Sequence, residues 1–324
     1  MAQIRKAFEL SLCFALLLAA CACPQNLNSA EDLQSFVSRM IRGKAGAVIV
    51  SDPRTGQVLA VSSPQIAFHE AYTPGSTVKL VVGAAALEEG VISPSDKIMC
   101  RRVPRVLGEP FRCSHPLATQ PYNVELALAN SCNYFFSELG TRLSSAALAH
   151  WFEAFGFGVA GDQAAPGEVQ IPEKPRGKAL AALGEQGVTA TPAQVLMAYS
   201  AIAARGQMFQ LILPGQHKAA SLDRVVTLEN GTSRALVQGL RDCVKFGSCR
   251  AAAVPGVSVA GKTGTAPALD GSHVTHAWFV GFAPVDSPEV AVVVFLKRGT
   301  GGSSAAPLAA QILQHYFAGK KRTP

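Results

Sequence analysis

The sequence predicts an α+β fold: a five-stranded antiparallel sheet flanked by helices, with a helical lobe inserted between the second and third strands in chain order. Three observations carry this. Two β-rich runs, 45–51 and 57–62, surround Asp52-Pro53-Arg54-Thr55-Gly56, a hairpin signal with a longer turn. Residues 91 to 256 then show mostly helical patterning punctuated by Pro and Gly. Strand chemistry returns at 258–266, 276–283 and 290–297. The sheet is therefore split, two strands before the insertion and three after it, and a cleft is expected between the lobes.

With 324 residues and 48% apolar content, the chain can bury a large core as one domain or as two intimate lobes. Its formal charge of +7 is spread over a chain only 16% charged, and no Lys/Arg run is interleaved with aromatics. No nucleic-acid partner is expected; a basic balance suits an anionic wall or membrane surface equally well.

Taken in order, Arg5 and Lys6 precede an apolar run over 10–20 that ends Leu18-Ala19-Ala20-Cys21. Residues 1–20 read as a signal peptide, too short for a comfortable membrane span. The ending resembles a bacterial lipoprotein signal, which makes Cys21 the expected lipidation site and membrane anchor of a chain facing the periplasm or cell envelope. An ordinary cleaved signal and an uncleaved anchor are the alternatives. Residues 21–44 read as a tether and short amphipathic helix, 45–318 as the folded domain, and 319–324 as a solvated basic tail.

After the hairpin, Thr73-Pro74-Gly75-Ser76-Thr77-Val78-Lys79-Leu80 opens the first long helix. Pro74 and Gly75 punctuate the chain, and an apolar run continues to a stop at Gly90. Ser76 stands at the helix opening with Lys79 three residues later on the same face. A serine hydroxyl is almost never ionised at neutral pH and needs an adjacent base. An amine one turn away serves if burial and the positive end of the helix dipole lower its pKa. The plain alternative for Ser76 is an N-cap.

Two helices share 123–143, and Ser131-Cys132-Asn133 marks their junction, because Asn130 and Asn133 are poor interior helix residues. A helix over 146–155, a loop over 156–178, and helices over 193–204 and 232–244 follow. Lys262-Thr263-Gly264-Thr265 lies in the first returning strand. The glycine-rich turn 299–303 has no Lys-Ser/Thr continuation, so it reads as a loop near the cleft rather than a phosphate cradle. A helix over 305–317 closes the domain.

Export permits disulfides. Apart from Cys13 and Cys21, six cysteines remain: Cys23, Cys100, Cys113, Cys132, Cys243 and Cys249. Six allow fifteen connectivities, with Cys100–Cys113 and Cys243–Cys249 as the local candidates. Cys132 reads as a buried small apolar filler. No Cys/His spacing looks like a zinc site, so no metal and no cofactor are expected.

Ser76-x-x-Lys79, Ser131-Cys132-Asn133 and Lys262-Thr263-Gly264, in that chain order, resemble the motif set of the penicillin-binding proteins. The match is closest to the transpeptidase domain of the class B type and covers residues 45–318. Trp278-Phe279-Val280-Gly281 and the segment ending Thr191-Pro192 add to the resemblance. The Cys100 and Cys113 pair also resembles two cysteines ahead of the Ser-x-Asn motif in some class B relatives. The resemblance implies a serine acyltransferase acting on D-Ala-D-Ala ends of peptidoglycan stem peptides, with β-lactams as covalent inhibitors and a cell-wall synthase as a partner. Ser76 is then the nucleophile, Lys79 its general base, and Ser131 the relay to the leaving amine. Asn133 holds Lys79 and the substrate amide. Lys262, Thr263 and Thr265 meet the substrate carboxylate, and Gly264 lets the acyl chain lie against the strand. Backbone N–H groups of Ser76 and Thr265 form the oxyanion hole.

Rival readings fall away for stated reasons. His69, His115, His273 and His276 have no evident carboxylate partner for a triad, and Asp270 and Glu185 read as structural. Ser131-Cys132-Asn133 departs from the Ser-x-Val of class D and the Tyr-x-Asn of class C β-lactamases. Glu168 and Glu173 lack the surroundings of a class A loop glutamate. A slow hydrolyser is therefore expected ahead of a serine β-lactamase, and the resemblance of the Trp278 and Thr191-Pro192 segments favours a D,D-transpeptidase over a D,D-carboxypeptidase. A non-catalytic β-lactam or muropeptide sensor would be expected to need a signalling domain. Class B enzymes usually carry a large N-terminal pedestal and membrane helix, so a stand-alone transpeptidase-like lipoprotein is expected here.

Overall fold

Both ends of the chain contribute to one sheet. The computed structural model describes residues 32–161 and 165–320. The signal peptide, Cys21, Cys23, most of the tether, and residues 321–324 of the basic tail lie outside the described residues. Helix α1 (Leu33–Ile41) is capped by Asp32, whose carboxylate accepts from the Ser35 N–H at 2.8 Å. It leads into β1 (Gly46–Ser51) and β2 (Val58–Ser62), the expected hairpin, with the Asp52 carbonyl accepting from the Gly56 N–H at 2.9 Å.

A short helix α2 (Pro64–His69) precedes α3 (Lys79–Glu88). The inserted region holds α4 (Val124–Ala129), α5 (Asn133–Arg142), α6 (Ser145–Ala154), α7 (Pro175–Leu183) and α8 (Pro192–Ala203). A small hairpin, β3 (Gln207–Phe209) with β4 (Leu222–Val225), and then α9 (Asn230–Lys245) complete it. Strands β5 (Ala260–Pro267), β6 (Thr275–Ala283) and β7 (Val290–Leu296) return to the sheet, and α10 (Ala306–Lys320) closes the fold.

The sheet order is β2-β1-β7-β6-β5, antiparallel throughout. Every residue of β1 and β7 is buried, because apolar cores cover both faces. On one face Val48, Val50, Val292 and Val294 meet Val37 of α1 and Ile312 of α10; on the other, Ile49, Val293 and Phe295 meet Leu80 of α3 and Leu196 of α8. Edge strand β2 alternates between buried and half-buried residues, as one covered face dictates. β5 is the opposite edge, and it carries the polar motif.

Three departures from the sequence reading have local causes. Residues 91–122 form no α-helix among the described residues, only a 3-10 turn at Glu109–Phe111. Pro94, Pro104, Pro110, Pro116 and Pro121 each remove an N–H donor and push the preceding residue away from helical backbone. Helix α7 begins inside the stretch read as loop, with Pro175 in its first turn. The residues 299–303 are not a simple loop: Gly301–Ala305 form a π-helical turn leading into α10. The β3–β4 hairpin and α2 carry too few residues to show a period.

Helix α8, by contrast, starts where its residues say it should. Thr191 Oγ1 accepts from the Gln194 N–H, and Gln194 Oε1 accepts from the Thr191 N–H, a reciprocal cap ahead of Pro192.

One close approach positions everything that follows. Gly184 ends α7 in a left-handed conformation (φ +71°), and its carbonyl accepts from the Gly75 N–H at 3.0 Å. A Cβ on Gly184 would lie 2.3 Å from the Gly75 carbonyl oxygen. Gly184→Ala combines left-handed strain with overpacking and is expected to destabilise the fold by about 2–4 kcal/mol. A lowered denaturant midpoint for the purified variant would show this; an unchanged midpoint would mean that the two segments separate freely.

Candidate active site

Ser76 does not open an α-helix. Gly75–Val78 form a single 3-10 turn that passes directly into α3 at Lys79, whose backbone N–H donates to the Ser76 carbonyl. A 3-10 turn has three residues per turn and eclipses positions i and i+3. The Ser-x-x-Lys spacing therefore stacks Ser76 and Lys79 more directly than an α-helix would.

Side chains from the strands and from α8 hold this turn in place. Trp278 Nε1 of β6 donates to the Thr73 carbonyl at 3.0 Å, and Thr73 Oγ1 donates to the Pro267 carbonyl of β5 at 2.7 Å. Tyr199 Oη of α8, fully buried, donates to the Thr77 carbonyl at 2.8 Å. Gly264 also meets a packing need. The position its Cβ would take lies 2.7 Å from the Pro74 carbonyl oxygen and 2.9 Å from Thr77 Cγ2. The glycine lets the turn press against the strand.

Lys79 and Lys262 are both fully buried, and both reach Ser131. Lys79 Nζ donates to Asn133 Oδ1 at 2.6 Å, to the Ser131 carbonyl at 2.9 Å and to Ser131 Oγ at 3.3 Å. Lys262 Nζ donates to Ser131 Oγ at 2.8 Å and to the Thr263 carbonyl at 3.1 Å. One hydroxyl thus lies between two amines. No ion pair to either lysine occurs among the described residues.

Burial is the main reason that the Lys79 amine is pulled down to about 8; the Cys132 and Cys113 thiols and the Glu185 carboxyl oppose the shift. Burial, and then the neighbouring Lys79 charge, place Lys262 well below the ordinary lysine range. The two amines cannot both hold protons cheaply in so dry a space.

The turn that carries Ser131 is strained. Ser131 lies in the left-handed region (φ +52°), between the end of α4 and Cys132, which caps α5. Asn133 Nδ2 donates to the Phe111 carbonyl at 3.1 Å, so the irregular segment 91–122 braces the motif from outside. Phe111 and Tyr199 had no sequence signal, because each acts through its backbone or hydroxyl across a long chain separation. Glu185, read as structural, lies beside the site: burial pushes its carboxyl up to about 7, against the pull of Lys79.

The remaining motif residues line the β5 edge. Thr265 Oγ1 accepts from the Gly301 N–H at 3.0 Å, leaving its own proton to donate elsewhere. Thr263 Oγ1 lies 3.4 Å from Ser248 Oγ, beside the Cys243–Cys249 disulfide. That disulfide is one of the two expected pairs. The other is not formed: Cys100 and Cys113 sulfurs lie 3.7 Å apart, and both are free. Cys132 is no isolated filler, because its sulfur joins theirs, and His115 completes the cluster. Chain spacing hid this group of four. Ser76 Oγ makes no hydrogen bond among the described residues, and the amine that should serve it is turned to Ser131 and Asn133. Such contacts often tighten only on binding. The arrangement can activate a hydroxyl and pass a proton through Ser131.

Comparison with known proteins bears on the family and the fold. A family model described as "Penicillin binding protein transpeptidase domain" matches residues 46–314. Peptidoglycan D,D-transpeptidase MrdA of Acinetobacter baumannii is 27% identical over an alignment 362 positions long, covering 90% of this chain and 53% of MrdA. Stage V sporulation protein D of Bacillus subtilis is 30% identical over an alignment 316 positions long, covering 82% of this chain and 48% of that protein. The chain thus spans about half the length of these relatives. Two solved structures superpose closely at 25% identity. One is the D,D-transpeptidase domain of a peptidoglycan glycosyltransferase from Eggerthella lenta (TM-score 0.76; 89% of this chain, 81% of that one). The other is a ceftriaxone acyl-enzyme complex of penicillin-binding protein A from M. tuberculosis (TM-score 0.77; 87% and 77%).

Asn133→Ala removes the side-chain acceptor of a buried amine and a brace to Phe111. It is expected to lower stability by about 1–3 kcal/mol in denaturant unfolding. Wild-type stability would show that Lys79 finds another partner.

Proposed function

The chain belongs to the penicillin-binding protein transpeptidase family, and on that premise we propose that it is a serine D,D-transpeptidase acting on D-Ala-D-Ala ends of peptidoglycan stem peptides. The observation that carries the reading is Ser131 Oγ within 3.3 Å of Lys79 Nζ and 2.8 Å of Lys262 Nζ, beside a 3-10 turn that stacks Ser76 on Lys79.

In this mechanism Ser76 Oγ attacks the carbonyl of the penultimate D-Ala, and Lys79 in its neutral form takes the hydroxyl proton. Ser131 passes a proton to the departing D-Ala amine, and an acceptor amine then takes the acyl group from Ser76. Asn133 keeps the Lys79 amine in place. Lys262 and the hydroxyls of Thr263 and Thr265 receive the substrate carboxylate, whose charge draws a proton back onto Lys262. Backbone N–H groups of Ser76 and Thr265 steady the oxyanion, a contribution of about 3 kcal/mol per donor. β-Lactams acylate Ser76 by the same route. Support comes from the burial of both lysines and from the acyl-enzyme complex of the M. tuberculosis relative.

Peptidoglycan lies outside the cytoplasmic membrane, so the reading places the chain there. No helix among the described residues is long and apolar enough to cross a membrane. The motif ending at Cys21 supports a lipid anchor, with 1–20 removed as signal and 21–44 as tether. A cell-wall synthase is the partner that the family relationship favours.

Two measurements test the function. Purified protein incubated with a fluorescent penicillin is expected to hold the label for hours, and Ser76→Ala to take none. Label lost within seconds would assign a β-lactamase, and no label in the wild type would sink the acyl-enzyme reading. The rate of acylation against pH is the second. Lys79 works deprotonated, so with its pKa near 8 the rate is expected to fall about tenfold per unit below about pH 8 and to level off above it. A flat profile between pH 6 and 9 would exclude Lys79 as the base.

A further inference from the structure

Behind the Ser131-Cys132-Asn133 turn, three thiols and an imidazole converge from separate parts of the chain. Cys100, Cys113 and His115 come from the irregular segment and Cys132 from the start of α5; all four are buried. The Cys100 and Cys113 sulfurs are 3.7 Å apart, those of Cys113 and Cys132 3.8 Å apart, and His115 Nε2 lies 3.6 Å from the Cys100 sulfur. All four atoms fall within 4.8 Å of one another. An ion with Zn–S of about 2.3 Å and Zn–N of about 2.0–2.1 Å at tetrahedral angles requires S···S edges of about 3.8 Å and S···N edges of about 3.6 Å. Three of the six edges have the lengths just given, and those three match that tetrahedron. We infer that Cys100, Cys113, Cys132 and His115 form a closed structural site for a zinc ion.

Three further features fit. His115 Nδ1 lies 2.7 Å from the Pro116 carbonyl oxygen. A carbonyl only accepts, so Nδ1 carries a proton, and the neutral imidazole then has its Nε2 lone pair for a metal, the usual support for a metal-bound histidine. Each sulfur also accepts a backbone N–H: Arg102 to Cys100 at 3.3 Å, Tyr134 to Cys113 at 3.3 Å and Phe135 to Cys132 at 3.4 Å. These donors favour thiolates. Binding therefore takes three thiols to thiolates, releases their three protons and leaves one net negative charge close to the buried Lys79 amine. A Cys100–Cys113 disulfide would instead leave Cys132 and the oriented imidazole without a shared purpose.

The consequence is mechanical. Cys132 sits between Ser131 and Asn133, and Phe111, which holds Asn133, lies between Cys100 and Cys113 in the chain. An ion joining the four ligands clamps the helix-poor segment 91–122 to the motif turn.

The test is metal content. Protein produced in zinc-supplemented medium and purified without chelator is expected to hold one zinc per chain by elemental analysis. Cys113→Ser and His115→Asn are expected to lose at least tenfold in occupancy after dialysis against a weak chelator. Because those variants can misfold, wild-type protein is also reconstituted with cobalt(II). Intense tetrahedral d–d bands with thiolate charge transfer are expected, and zinc should abolish them. A metal-free wild type whose three cysteines all alkylate, a Cys100–Cys113 disulfide in the peptide map, or a weak octahedral cobalt spectrum would each overturn the inference.

Discussion

Desolvation of two neighbouring amines governs this site. Lys79 and Lys262 are fully buried and approach the same Ser131 hydroxyl, while no ion pair to either occurs among the described residues. Water would stabilise both ammonium groups; the protein interior does not, and each charge disfavours the other. The pair therefore holds fewer protons than two surface lysines would. That shortage makes one amine available as a base. It also gives Lys262 a reason to bind a carboxylate, which would restore its charge. Asn133 and the Ser131 carbonyl orient Lys79 without neutralising it, so reactivity is tuned by burial rather than by ion pairing.

Such burial requires that the backbone come unusually close. Gly184, Gly75 and Gly264 bring the end of α7, the Ser76 turn and the β5 edge to distances that a Cβ would forbid. Trp278, Thr73 and Tyr199 then tie the turn to β6, β5 and α8 by hydrogen bonds to backbone carbonyls. An apolar core on each side of β1 and β7 supplies the rigid platform beneath. The 3-10 geometry at Ser76 belongs to the same economy of space, since it stacks serine over lysine within one turn.

The opposite wall is built differently. Segment 91–122 has too many prolines for a helix, yet it buries Cys100, Cys113 and His115 and supplies the carbonyl that holds Asn133. A zinc ion on Cys100, Cys113, Cys132 and His115 gives this wall a cross-link where regular hydrogen bonding is sparse, and it explains a buried thiol inside the Ser131-Cys132-Asn133 motif. The Cys243–Cys249 disulfide plays the covalent part near Thr263.

The sequence by itself determined what depends on neighbours along the chain. The β-rich runs, the helix over 193–204, the break at Asn130 and the Ser76–Lys79 spacing are local, and each appears in the structure close to where its residues placed it. Order along the chain also sufficed to group the three motifs. Tertiary structure alone decided what depends on distant partners. The meeting of Lys79 with Lys262 at Ser131 joins distant parts of the chain, and the tight space at Gly264 is set by Pro74 and Thr77. Glu185 owes its raised pKa to burial that no local pattern encodes. The cysteines and His115 are separated by twelve, one and sixteen intervening residues, spacings that carry no ligand signature. Packing brings them within 4.8 Å, because chain folding, not chain order, sets which side chains share a volume.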